Sequence, residues 1–326
     1  MLTTVAEPTL ADIYVARPRV YAALKPSPLL KHPLLDRELG LDIRVKHENH
    51  NPTGAFKVRG GLNLIGSLSA EDRRAGVITA TTGNHGQSIA LACQREGVAC
   101  TILCPVGNNP EKNAAMRAFG ANLIEHGKDF DEARERVEAI LAERPLRYVH
   151  SANEPLLIAG VGTYGLEIFE ELPDVDVVFV PIGGGSGACG CAIARTGTGS
   201  RAKVIGVQAE RADAFTRSWR GPSRVTSDTA DTFAEGMATR ITFDLPFGIL
   251  KRELDDIVTL SEAELADGVR IAMRTTHNLA EGAGASSIAA AKKLRDQLAG
   301  KKVVCVMSGG NLDAAKLARI LNDPAA

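Results

Sequence analysis

Four short stretches carry residue types able to do chemistry: ENHNPTGAFKVRGG (48–61), TTGNHGQS (81–88), PIGGGSGACG (181–190) and MSGGN (307–311). In the first, Lys57 follows Phe56 and a Pro-Thr-Gly turn. It heads a segment with apolar residues at Val58, Leu62, Ile65 and Leu68. A cation at a helix start opposes the positive end of the helix dipole, and partial burial disfavours it further, so its pKa should fall. Glu48 lies nine residues back and Arg59 bears the same charge, so no near neighbour in sequence neutralises Lys57. An amine that is neutral near pH 7 is a nucleophile and condenses with an aldehyde to a Schiff base. A lysine on a solvated surface would do none of this.

Gly183, Gly184, Gly185, Ser186 and Gly187 follow a strand-like run and should open a helix, where backbone N–H groups cradle a phosphate. Gly185, Gly187 and Gly190 also satisfy G-x-G-x-x-G, with Glu210 beyond a later strand, so a nicotinamide-dependent oxidoreductase is the alternative from another class. That fingerprint usually marks the first strand of its domain, and here it lies past mid-chain. The same glycines would also serve close helix–strand packing. Thr81, Thr82 and Asn84 offer donors ahead of a helix start, which suits a small carboxylate or a plain helix cap. Ser308 stands just past the last strand-like run. A phosphate loop together with a Schiff-base lysine is the pair that holds pyridoxal phosphate.

These segments need a scaffold. Short, β-branched, mostly apolar runs at 43–48, 76–80, 99–104, 121–126, 176–182, 203–209, 256–260 and 302–307 read as buried parallel strands. Helices are expected between them, including 110–119 behind Asn109 and Pro110, 129–143, and 285–299 ending at Gly300. Strand–helix alternation predicts a doubly wound α/β fold, in which ligands bind beyond the carboxyl ends of strands. All four stretches fall at such places. Residues 220–232 read as loop, and no internal repeat is visible.

The 326 residues are 44% hydrophobic and 24% charged with a net charge of −1, so nothing favours nucleic acid or an anionic membrane as partner. The six cysteines form no C-x-x-C pair and read as free thiols of a reducing, cytoplasmic compartment. The first 25 residues lack the apolar core of a signal peptide.

The set NPTGAFKVRGG, TTGNHGQS, GGGSGACG, AEGMATR, LAEGAGAS and SGGN, in order from about residue 25 to 312, resembles the fold-type II pyridoxal-phosphate enzymes in their serine/threonine dehydratase group. The resemblance implies a tryptophan synthase β-like architecture: two doubly wound domains with mostly parallel open sheets. The larger, cofactor-binding domain would take 1–75 and 151–326, the smaller 76–150. Lys57 would carry pyridoxal 5′-phosphate as a Schiff base, with Phe56 against the ring and Asn84 on its hydroxyl. Gly183, Gly184, Gly185, Ser186 and Gly187 would bind the phosphate, and Ser308 would face the pyridine nitrogen. Gly236 and Glu281 would border the cofactor. Thr81, Thr82, Gly83, Asn84 and His85 would hold the substrate carboxylate.

The implied reaction removes water from a 3-hydroxy amino acid, L-threonine or L-serine, giving a 2-oxo acid and ammonia. Lys57 would take the α-proton. AFKVRGG and TGNHG favour this branch over the cysteine-synthase-like one, which carries an SVKDR-type lysine segment and an SGNTG loop. Bulkier substrates, such as phenylserine or hydroxyaspartate, and serine racemisation are the alternatives; a racemase would use a Ser hydroxyl where Thr82 stands. Arg240 and Arg274 are conceivable partners for a second carboxylate but read as solvated surface residues. Some relatives bind a divalent cation after the strand at 203–209, where VQAERADAF is poor in ligands: Gln208 and Ala214 replace expected carboxylates, with Glu210 and Asp213 nearby. A homodimer fits the group. The short stretch after SGGN leaves no room there for a regulatory domain.

Overall fold

The computed structural model describes residues 6–322. Its strands are β1 (Leu29–Lys31), β2 (Asp42–His47), β3 (Val77–Ala80), β4 (Cys100–Cys104), β5 (Asn122–Glu125), β6 (Arg147–Tyr148), β7 (Val177–Pro181), β8 (Lys203–Ala209), β9 (Asp256–Leu260) and β10 (Lys302–Met307). They form two open sheets, ordered β1-β2-β10-β7-β8-β9 and β5-β4-β3-β6. Every pairing is parallel except that of β1 with β2. The fold is α/β with mostly parallel sheets covered by helices, as the near-continuous apolar strands require.

Each expected strand is present, with ends shifted by at most one residue. β1 and β6 were not expected, because three and two residues are too few to show a period. The helix expected at 285–299 instead spans Gly282–Lys293, and a 3₁₀ turn at Arg295–Gln297 follows it. Its first turn includes Gly284, which lies against the backbone of Gly309, where a Cβ would come within 2.0 Å of the carbonyl oxygen. Leu68 lies beyond the helix Lys57–Gly66 rather than on its apolar face. Asn109 caps the helix Pro110–Ala118 as expected, accepting from the N–H groups of Glu111 (2.9 Å) and Lys112 (3.1 Å).

The last strand lies in the middle of the larger sheet. β10 pairs in parallel with β2 on one side and β7 on the other. Its end therefore meets the segment that follows β2, where Ala55 bridges Gly309 and the Phe56 N–H donates to the Ser308 carbonyl at 3.0 Å. Beneath that junction lies a buried ionic cluster. The Arg59 guanidinium, fully buried, donates to both oxygens of Glu48 (2.8 and 2.9 Å) and of Glu167 (2.6 and 3.0 Å), and to Thr163 Oγ1 at 3.0 Å. Lys46 Nζ reaches Glu167 Oε2 at 2.6 Å and the Ser27 carbonyl at 2.7 Å. Arg59 thus turns away from Lys57 and is neutralised by two glutamates, one of them 108 residues distant in sequence.

No helix among the described residues is long and apolar enough to cross a membrane.

Arg59→Met should strand Glu48 in an apolar interior and leave Glu167 to Lys46 alone. We expect a loss of about 3–5 kcal/mol in urea unfolding, read as a lower midpoint at unchanged slope. A loss below about 1 kcal/mol would show that the cluster relaxes into water.

Candidate active site

A cavity opens between the two sheets at the carboxyl ends of β3, β7 and β10, and all four chemistry-bearing stretches line it. Lys57 is the first residue of its helix, and this helix packs tightly on the helix Asn84–Glu96: a Cβ on Gly61 would lie 2.3 Å from Ser88 Oγ. The Lys57 amine donates to Ser186 Oγ at 2.9 Å and stands 5.2 Å from the centre of the Phe56 ring. Burial lowers its pKa from 10.5 to about 8. The sequence pointed first to the helix dipole; loss of water is what depresses this amine, with no carboxylate opposing it.

The glycine loop is shaped by close approach. Gly185 has φ +94°, a left-handed conformation suited to glycine, and N-caps the helix Ser186–Gly197. A Cβ on Gly183 would come within 2.1 Å of the Gly236 carbonyl, and one on Gly187 within 3.2 Å of the Phe56 ring. Gly190 has another task. A Cβ there would strike the Gly162 nitrogen at 2.6 Å, so it serves contact with the helix Pro155–Glu171. The third glycine of a dinucleotide fingerprint also serves packing, so Gly190 by itself does not separate the two readings.

In the loop at 81–85, the Thr81 hydroxyl accepts from the N–H groups of Gly83 (3.0 Å) and Gly86 (3.3 Å), capping the helix, while Thr82 is half-buried on the cavity wall. Asn84 donates to Glu281 Oε1 at 2.6 Å and accepts from Asn311 at 2.8 Å. The His85 ring is buried beside Thr79 (3.0 Å), and burial, with Lys57 nearby, lowers its pKa to about 3. Its imidazole is neutral, so any carboxylate here would meet the N–H groups of the helix start rather than an imidazolium. Ser308 is buried at the end of β10 and lines the cavity, as do Gly236 and Glu281.

Lys112, Glu235, Phe130 and Phe243 also line the cavity and were not singled out in the sequence. Glu235 sits beside Gly236 in AEGMATR; nothing in the pattern of the helix Pro110–Ala118 marked Lys112. Lys112 Nζ lies 2.6 Å from Glu235 Oε2 and 3.6 Å from Glu281 Oε2. Burial pushes the Glu281 carboxyl up, and Lys112 opposes that shift. Glu235 also resists burial, but Lys112 and Lys316 outweigh it and hold its carboxyl below the usual range. Arg240 pairs with Asp129 at 3.6 Å and Arg274 with Glu38, and neither lines the cavity.

At the end of β8, the Gln208 side-chain oxygen accepts from the Thr216 N–H and hydroxyl, both at 2.8 Å. Asp213 pairs with Arg217 at 2.8 Å and Glu210 with Lys293 at 3.8 Å. Among the described residues no group of three or more His, Cys, Asp or Glu side chains could hold a metal ion.

The residues fit pyridoxal phosphate: a buried amine of lowered pKa, a flat apolar ring beside it, and a glycine cradle that any Cβ would fill. A lysine pKa depressed in the fold means that the folded protein binds its proton less tightly than the unfolded chain. Burying the charged amine therefore costs stability below about pH 8, and the cost fades as pH rises toward 10.5. In the cofactor-free protein, Lys57→Met should raise stability by on the order of 3 kcal/mol near pH 7. The gain should shrink by more than half near pH 10, as read by denaturant unfolding at both values; an equal gain at both would mean that the amine is solvated.

A family profile described as pyridoxal-phosphate dependent enzyme matches residues 20–309. The chain is 39% identical over 314 residues to the L-threonine ammonia-lyase of Thermotoga maritima, covering 96% of this chain and 78% of that one. It is 32% identical to the serine racemase of Schizosaccharomyces pombe, covering 97% and 98% of the two chains. The processed form of threonine deaminase isoform 2 from Solanum lycopersicum superposes with a TM-score of 0.91 at 31% identity, covering 98% of this chain and 91% of that one. Buried lysine, glycine cradle and parallel sheets thus agree with the sequence matches, and the chain belongs to the pyridoxal-phosphate dependent enzymes of fold type II.

Proposed function

We propose that this enzyme eliminates water from a small neutral 3-hydroxy amino acid, L-threonine or L-serine, releasing a 2-oxo acid and ammonia. The observation that carries the reading is the Lys57 amine, held 2.9 Å from Ser186 at the glycine loop while the helix-start loop 81–85 faces the same cavity. Pyridoxal phosphate, when bound, supplies the electron sink that makes the α-proton labile. Lys57, whose pKa burial lowers to about 8, gives up its own proton more readily than an ordinary lysine and is the base for that proton. The N–H groups of Asn84 and His85 at the helix start orient the substrate carboxylate, in a loop that the Thr81 hydroxyl holds through the N–H of Gly83. Ser308 offers the ring nitrogen a neutral hydroxyl, which does not enforce ring protonation as a carboxylate would. That favours loss of the β-substituent over amino-group transfer.

The substrate class follows from charge. Of the two lysines lining the cavity, Lys57 is the anchor and Lys112 is engaged by two glutamates, while Phe130, Phe243 and Ala238 are apolar. A second carboxylate would meet no uncommitted cation among these residues, which supports threonine over hydroxyaspartate. Serine racemisation is the alternative that the Thr82 hydroxyl on the cavity wall supports. The division into a cofactor-binding part (1–75 and 151–326) and a smaller part (76–150) belongs to the same proposal and is supported by β3–β6 forming their own sheet. So do a reducing, cytoplasmic location, for which six buried free cysteines argue, and a homodimer, for which exposed Leu30, Leu34, Met273 and Leu279 argue.

The test is the visible absorption of the purified protein before and after L-threonine. A yellow band bleached by borohydride and absent from Lys57→Ala, with 2-oxobutanoate appearing on addition of threonine, is expected. A band indifferent to threonine and serine would redirect the reading to bulkier 3-hydroxy amino acids. A protein that stays colourless with added pyridoxal phosphate would remove it.

A further inference from the structure

Among the described residues, Lys112 is the charged side chain that the smaller-sheet region contributes to the cavity, and it touches the loop at 81–85 in two ways. Its stem lies across Gly83, where a Cβ would come within 2.3 Å of Lys112 Cδ and 3.2 Å of Cε. Its ammonium bonds Glu235 and approaches Glu281, whose other oxygen accepts from Asn84 at 2.6 Å. Neighbouring contacts hold the helix in place: Asn109 donates to Asp313 at 3.3 Å, and Glu111 accepts from the Ala314 N–H at 3.3 Å.

Both contacts matter physically. Gly83 has no side chain, so the Lys112 methylenes form its wall, and a shorter residue would leave the loop facing a gap. Glu281 is buried, and Lys112 counters the upward shift that burial imposes. An ionised carboxylate accepts a hydrogen bond about twice as strongly as a neutral group. Without the ammonium, Glu281 is freer to take a proton, and Asn84 is held less firmly.

We propose that Lys112 is a positioning residue for the carboxylate-binding loop. Its stem buttresses Gly83 and its charge fixes Asn84 through Glu281, so that it sets affinity for the amino acid rather than the rate of the chemical step. The proposal rests on loop 81–85 receiving the substrate carboxylate.

The experiment compares Lys112→Met, which keeps a stem and removes the charge, with Lys112→Ala and Lys112→Arg. Lys112→Met should raise KM for L-threonine about tenfold or more, the size of one lost charge-assisted hydrogen bond. Its kcat should change less than about threefold, the pattern of lost ground-state and transition-state binding alike. Lys112→Ala should also speed amide hydrogen exchange across residues 81–88 in the cofactor-free protein, and Lys112→Arg should restore both readouts. If Lys112→Met does not fold, Lys112→Gln also keeps a stem and removes the charge, and should raise KM in the same sense. An unchanged KM, a fall in kcat at constant KM, or unaltered exchange across 81–88 in Lys112→Ala would overturn the proposal. A wild-type protein without turnover would instead overturn the dehydratase reading, and the exchange comparison would still decide the role of Lys112.

Discussion

The helix that Lys57 heads rests on a buried salt-bridge cluster. Arg59, two residues after Lys57, is fully buried and bonded to Glu48 and Glu167, while Lys46 completes a neutral set of two cations and two anions. Taking four charges out of water is expensive, and their mutual attraction repays it only when every hydrogen bond is made. That condition selects one arrangement of β2, the helix Lys57–Gly66 and the helix Pro155–Glu171, since sliding any of them by a residue leaves a charge unpaired. The cluster is a register device, and the register it sets is that of Lys57.

Topology supplies the second half of the site. Because β10 inserts between β2 and β7, Ser308 at the chain's far end arrives beside Phe56 and Lys57, with the glycine loop after β7 alongside. Glycines let these segments meet at backbone distance: Gly183 against Gly236, and Gly284 against Gly309. Side chains at those positions would push the loops apart by more than the cavity can absorb.

The titratable groups of the cavity divide by whether an opposite charge faces them. Desolvation makes the Lys57 amine easier to deprotonate and keeps His85 neutral. Beside them Lys112, buried as deeply as His85, pairs with Glu235 and Glu281, and Lys316 pairs with Glu235.

The sequence by itself determined the strands, because a run buried on both faces must be apolar throughout, and it singled out Lys57, because that residue sits where a tight Pro-Thr-Gly turn meets a helix start. It also marked the glycine loop and Ser308, whose backbone requirements are local. It left the task of Gly190 open, since a glycine that lets two helices touch is written with the same letter as one expected to cradle phosphate. It placed Arg59 as a neighbour repelling Lys57, although the guanidinium turns inward to Glu167, more than a hundred residues away. Lys112 was invisible, because its partners lie 123 and 169 positions along the chain and only packing of the two sheets brings them together. What tertiary structure alone decided is the pairing of charges across sequence distance and the burial that tunes Lys57, since both depend on which surfaces lose water.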